Sequence, residues 1–228
     1  MIIATQKFTG GRQAADYKAM LYLILPWALI AIFGGMGPPP ETPAAWAALA
    51  AEQRSRYVIL IISGIAVTIG FFHIHKLLSQ TGGAKYALFG KIMMLIALPL
   101  FIGNMAYWGF FLTDVFVKYS QPTHPAKPLW LKTLSDVFTY VRMIEVALIY
   151  LATAVIAIAL LTSKLISKPG AACYIAFACL GALFNLLPQN SSGPLSIPAY
   201  LSIIPAFTLL MPYLIGVNLI YKLSSQPE

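Results

Sequence analysis

The sequence predicts an all-α polytopic membrane protein, a bundle of six transmembrane helices, and three observations carry that prediction. Of 228 residues, 59% are hydrophobic and 10% charged, with a mean hydropathy of +0.79, whereas a soluble domain carries about 25% charged residues. Stretches such as 57–74 (YVILIISGIAVTIGFFHI) reach bilayer length without a formal charge, the pattern of a membrane-crossing helix. The apolar runs are also continuous, not the short alternating segments of an outer-membrane barrel. In lipid no water satisfies the backbone, which leaves helices.

Taken in order, the first span covers roughly 19–35 and contains Pro26. The loop after it opens with a proline-rich stretch (35–43) that cannot be helical. It continues through 44–56 as a strong helix former, with Trp46 and Leu49 three apart on one face and the charges gathered at its end. That segment predicts a short interfacial helix in the first external loop. The second span, 57–78, ends in His73-Ile74-His75-Lys76. The third, 87–113, contains Pro99, and a loop with Pro122, Pro125, Pro128, His124 and Trp130 follows it. The fourth span, 137–163, starts at Asp136. The fifth, 170–188, holds both cysteines, Cys173 and Cys179, which six residues apart on one helix cannot bond each other. The sixth, 196–221, carries Pro205 and Pro212, which should bend it near Tyr213 and Asn218. The 27-residue third and fourth spans exceed the roughly 20 residues needed to cross and should tilt or project. No room remains for a soluble domain, so 1–228 reads as one transmembrane domain.

Charge placement sets the orientation. Lys7, Arg12, Lys18, Lys76, Lys85, Lys91, Lys164, Lys168 and Lys222 fall on one side; Arg54, Arg56, Lys118, Lys127 and Lys132 fall on the other. Nine against five predicts both termini cytoplasmic. The net charge of +8 is then a topology signal with attraction to anionic headgroups, and no nucleic-acid partner is needed to explain it. The first span, preceded by basic residues, lacks a small-residue cleavage pattern after it and reads as a retained helix.

Ionisable residues inside a span are the strongest pointer to function in a membrane protein. Arg142 and Glu145, three apart in the fourth span, share a helical face. They read either as a structural ion pair near the outer interface or as a ligand or proton site. Asn104 and Tyr107, with Trp108 beside them, fall in the outer half of the third span, and Asn185 and Gln189 are four apart at the outer end of the fifth. Asn104, Tyr107, Arg142, Glu145, Asn185 and Gln189 therefore form the candidate ligand-binding set, an outer-half polar pocket. His73 and His75, two apart, point about 200° away from each other and cannot share a metal. No lysine lies deep enough for a retinal Schiff base, and neither a phosphate loop nor a GxSxG elbow occurs. No metal or cofactor is expected, while a bound lipid or pigment suits the pocket.

At Ala14-Ala15-Asp16-Tyr17-Lys18-Ala19-Met20-Leu21-Tyr22-Leu23, and in the rhythm of the last two spans from Gly170-Ala171-Ala172 through Ile197-Pro198-Ala199 and Ile204-Pro205-Ala206 to Leu219-Ile220, the chain resembles the DUF4386 family of uncharacterised bacterial multi-pass membrane proteins. The resemblance implies a bacterial inner (plasma) membrane location and a matching span layout. It implies no activity.

Three function classes survive. One is a non-enzymatic module that binds or translocates a small or lipophilic ligand in the outer-half pocket. The next is an accessory subunit of a larger membrane complex or a homo-oligomer, with Ala172, Ala176 and Cys179 as a small-residue contact face. The third is a membrane enzyme using Glu145 as acid/base, which lacks a second catalytic partner.

Overall fold

The computed structural model describes residues 10–32, 40, 42–120, 129–186 and 205–224. Among these the elements are helices, with no strand: α1 (Gly10–Ile32), α2 (Pro43–Ala48), α3 (Ala50–Leu78), α4 (Ala84–Ala106), a π-helical segment (Tyr107–Leu112), α5 (Thr113–Tyr119), α6 (Leu129–Thr162), α7 (Lys168–Asn185) and α8 (Pro205–Ser224).

Local sequence explains where several of them begin and end. Thr42 caps α2, its hydroxyl accepting from the Ala45 N–H at 3.2 Å, and Pro43 opens the first turn, where its missing N–H costs nothing. The helix breaks at Leu49, and α3 then runs unbroken from Ala50. The predicted 44–56 helix is thus divided. Only its first part is separate, because 50–56 contains no breaker and simply extends the next long helix by two turns. Trp46 is buried while Leu49 is 43% exposed, so the two do not form one apolar face.

The third predicted span also runs longer than 87–113. α4, the π segment and α5 form a single rod from Ala84 to Tyr119. α6 starts at Leu129, seven residues ahead of Asp136; that aspartate is on the helix surface and starts nothing. At its other end α6 closes in a Schellman-like turn. Lys164 takes the left-handed conformation (φ 59°), Leu165 N–H donates to Leu160 C=O and Lys164 N–H to Leu161 C=O, both at 2.9 Å. Ser167 caps α7 by accepting from Gly170 N–H. Pro212 lies inside α8, and Pro205 is the first described residue of that helix. The predicted loop 121–128, including His124, and the start of the sixth predicted span lie outside the described residues.

The long helices pack in chain order as antiparallel neighbours: α1 on α3, α3 on α4, α4 on α6 and α6 on α7. α8 returns against α1 and reaches α6, α3 and α7. Close contacts fix the registers. Gly90 of α4 lies under Ile156 of α6, Gly181 of α7 under the Tyr150 ring, and Gly216 of α8 under Leu23 of α1. The main core joins Leu23, Phe71, Phe101, Ile156 and Leu209, and a smaller one joins Val146, Tyr150, Ala154, Ala178 and Ala182 between α6 and α7.

Large apolar side chains also point outward along the bundle, among them Ile62, Leu95, Ile96, Ile144 and Leu180. Such a surface is costly in water and natural in lipid. Among the described residues three helices are long and apolar enough to cross a membrane: Ala50–Leu78, Ala84–Tyr119 and Leu129–Thr162. Met20–Ile32 and Phe207–Lys222 are shorter apolar helices.

Candidate functional site

One end of the bundle is capped. α2 folds over α5 and the start of α3, and Trp46 is its plug. The indole N–H donates to Thr113 Oγ1 at 2.7 Å, and its rings lie 6.3 Å from Tyr57, 6.3 Å from Trp108 and 5.6 Å from Phe116. Thr113 in turn donates to the Trp108 carbonyl, five residues back, at 3.1 Å. A π turn leaves a widened rung, and the threonine hydroxyl bridges it to the cap. Gly109 makes the same segment passable, since a Cβ there would run into the Tyr57 side chain. An ion pair between Arg54 of α3 and Asp114 of α5 lies on the exposed rim, and Arg56 pairs with Glu52 at 2.9 Å.

Beneath this cap lies a buried polar layer built by α3, α4, the π segment, α6 and α7. Asn104 of α4 and Glu145 of α6 are both fully buried, and the Asn104 amide donates to Glu145 Oε1 at 2.9 Å. Two turns before Glu145, Phe138 stacks on Tyr107 at 4.0 Å with the rings 1° from parallel. Asn104 and Tyr107 thus both face α6. On the far side of α6, Asn185 of α7 donates to the Met143 carbonyl at 2.6 Å. The structure joins Asn104, Tyr107 and Glu145 along one interface and ties Asn185 to the same turn of α6; Gln189 lies outside the described residues.

The expected ion pair is absent. Among the described residues no carboxylate pairs with Arg142, although Glu145 is one turn away on the same helix. Glu145 turns instead to the amide of α4, a neutral donor that its burial places within reach. Arg142 is partly buried, and Tyr57 of α3 is near enough to feel its charge.

Several buried polar atoms in this layer have no hydrogen-bond partner: Glu145 Oε2, Asn104 Oδ1, Arg142 Nε, Trp108 Nε1, Asn185 Oδ1 and Gln53 Oε1. Each such atom costs about 1–3 kcal/mol when its bond is left unmade, so their gathering in the capped half of the bundle calls for an occupant or a proton. Tyr57 and Trp108 link the layer to the Trp46 cap, and Gln53 is buried one turn before Tyr57. Gln53 and Tyr57 are four apart on α3, a spacing that would have flagged them had α3 been extended back to Ala50.

Elsewhere the polar residues look structural. His73 stacks on Tyr22 at 5.9 Å. Asn218 of α8 donates to the Tyr174 hydroxyl of α7, which donates to the Leu214 carbonyl at 3.3 Å. Cys173 and Cys179 are free and exposed, so they do not pack into the interior. Among the described residues no three His, Cys, Asp or Glu side chains gather as metal ligands. Comparisons with protein-family models, curated proteins and solved structures return no match.

Proposed function

We propose that the chain is a six-span, multi-pass protein of the bacterial inner membrane, with both termini cytoplasmic and α2 near the outer interface. Its function on this reading is to bind or translocate a small or lipophilic ligand in the polar layer formed by Asn104, Tyr107, Arg142, Glu145 and Asn185, and Gln189 joins the proposed set by its sequence spacing from Asn185 alone. The kinship with DUF4386 belongs to the same reading, and no catalysis is invoked.

The observation that carries it is the pair of buried donors without acceptors, Arg142 Nε and Trp108 Nε1, the indole packed on the Trp46 cap and the guanidinium near Tyr57. A bundle held together by its own contacts satisfies its buried donors. A ligand whose head group offers carbonyl, carboxylate or phosphate oxygens would satisfy both, while its apolar part lies against Tyr107, Phe138 and the surrounding aromatic rings.

Native mass spectrometry of the protein, gently extracted from its own membrane, tests this. The wild type should carry an adduct that Arg142→Ala and Asn104→Ala both release. If those substitutions alter thermal stability alone, with ligand content and transport unchanged, the pocket is structural. A second reading, as a subunit of a larger complex, is favoured by the outward exposure of Ala172, Ala176 and Cys179 on α7. Small residues let a partner helix approach closely. Ala176→Leu should then detach a co-purifying partner without touching the adduct.

A further inference from the structure

We infer that Glu145 holds a proton and that Asn104 and Glu145 form a closed acid–amide ring, a proton-binding site inside the bundle. One half of that ring is already in place, since Asn104 Nδ2 donates to Glu145 Oε1 at 2.9 Å. The two atoms left over are the other oxygen of each group, Asn104 Oδ1 and Glu145 Oε2, both buried and both without a partner. Two acceptors cannot satisfy each other. A single proton on Oε2, donated to Oδ1, satisfies both and completes an eight-membered ring of two antiparallel hydrogen bonds.

The surroundings favour this over an ionised carboxylate. Both side chains are fully buried, and an isolated carboxylate in such a place is the costliest form the group can take. Of the helices packed on α6, α4 brings the neutral Asn104 to this level, the π segment brings Tyr107, and α7 brings Asn185, bonded to the Met143 carbonyl. The titratable groups of α7, Lys168, Cys173, Tyr174 and Cys179, lie six or more residues before Asn185, and α8 has none before Tyr213. Arg142, on the same helix as Glu145, is the charged neighbour. It makes no ion pair with Glu145 and has Tyr57 of α3 beside it. A guanidinium held outside contact distance does not replace the two hydrogen bonds that the proton completes.

This goes beyond the ligand reading and is tested without any ligand. Infrared spectroscopy of the full-length protein in lipid, near neutral pH, should show a hydrogen-bonded carboxylic acid C=O band that shifts in D2O. The band should disappear in Glu145→Gln and move to the frequency of a free acid in Asn104→Leu. Gln reproduces the protonated shape, with Nε2–H donating to Asn104 Oδ1, so Glu145→Gln should keep the wild-type thermal midpoint while Glu145→Ala lowers it. Raising the pH should lower the midpoint of the wild type and leave that of Glu145→Gln where it was. The site is a charged carboxylate, and the inference fails, if no acid band is present or if Glu145→Gln falls in midpoint as far as Glu145→Ala. Should Glu145→Gln not fold, the wild-type band and its shift in Asn104→Leu decide alone. A wild type without an adduct, or an adduct that Arg142→Ala does not release, with the acid band intact would overturn the ligand reading only.

Discussion

Gly181 offers a sharp test of the α6–α7 register, on which the position of Asn185 against Met143 depends. A Cβ built on Gly181 would lie 2.6 Å from both Cε1 and Cζ of the Tyr150 ring and 2.9 Å from Cδ1. Carbon atoms in good contact sit about 3.5–4.0 Å apart, so the ring would have to retreat by roughly 1 Å. It has little room to do so. Tyr150 is 1% exposed, is flanked by Phe177 at 6.4 Å and packs with Val146, Ala154, Ala178 and Ala182. Overpacking of this kind costs about 1–3 kcal/mol, against which Ala gains up to about 1 kcal/mol of helix propensity over Gly. The net for Gly181→Ala is a loss of about 1 kcal/mol, or roughly 2–4 °C in Tm for a chain of this size. Gly103 of α4 is the control, since a Cβ there meets nothing within 4 Å. Gly103→Ala should therefore gain what propensity gives, and the two substitutions should move Tm in opposite directions. The assay is thermal unfolding in one detergent, followed by helical circular dichroism. Adding Tyr150→Leu should remove the penalty of Gly181→Ala, a coupling of about 1 kcal/mol in a double-mutant cycle. If Gly181→Ala stabilises as Gly103→Ala does, Tyr150 does not lie across α7 and the register is wrong.

Two further predictions are independent of that interface. Lys164 holds a left-handed conformation at the end of α6, where a side chain costs about 1 kcal/mol that glycine avoids. Lys164→Gly should raise Tm by a few degrees, and a fall would show that its side chain contributes more than its backbone loses. Trp46→Phe and Thr113→Val each remove the buried bond between the cap and the rod, at about 1 kcal/mol for the bond itself. Thr113→Val should lose more because its hydroxyl also donates to the Trp108 carbonyl. The double substitution should cost less than the sum of the singles, and strict additivity would refute a shared bond.

Much of the fold was legible because the hydrophobic runs are long and uninterrupted. The described parts of the predicted apolar runs are helical, up to the turns that follow α6 and α7. The boundaries were less legible, for a physical reason. Hydropathy reports where lipid-like character ends, not where hydrogen bonding ends, so α3 continues back through charged Glu52, Arg54 and Arg56, and α6 begins well before Asp136. At the site, depth and helical spacing were enough to select Asn104, Tyr107, Glu145 and Asn185, but not to pair them. Charge suggested Arg142 as the partner of Glu145, whereas the α4–α6 packing presents Asn104 first. Trp46 reads from the sequence only as part of an interfacial helix, and nothing local reveals that Thr113, 67 residues away, accepts its N–H.

The π segment explains why the polar layer lies where it does. Each extra residue in a helix rotates the downstream turns by about 100° relative to the upstream ones. Before the widened turn, Asn104 faces α6; within it, Gly109 meets Tyr57 of α3; after it, Thr113 meets Trp46 of α2. One rod can therefore serve three neighbours within about three turns, at the price of a weaker rung between Trp108 and Thr113. Hydroxyl groups elsewhere in the interior are handled differently. Thr68 donates to the Gly64 carbonyl and Thr153 to the Ile149 carbonyl, each four residues back at 2.9 Å. Their own helices satisfy them, and away from the layer Ser63 is the described exception. The unpartnered amide, carboxyl, guanidinium and indole atoms instead collect in the half of the bundle where the rod changes its facing. A bundle selected for stability alone would have filled those positions with apolar side chains, as it did in the Phe71–Phe101–Ile156 core. Retaining polar groups there, under a fitted aromatic cap, leaves bonds that the proposed proton and ligand would complete.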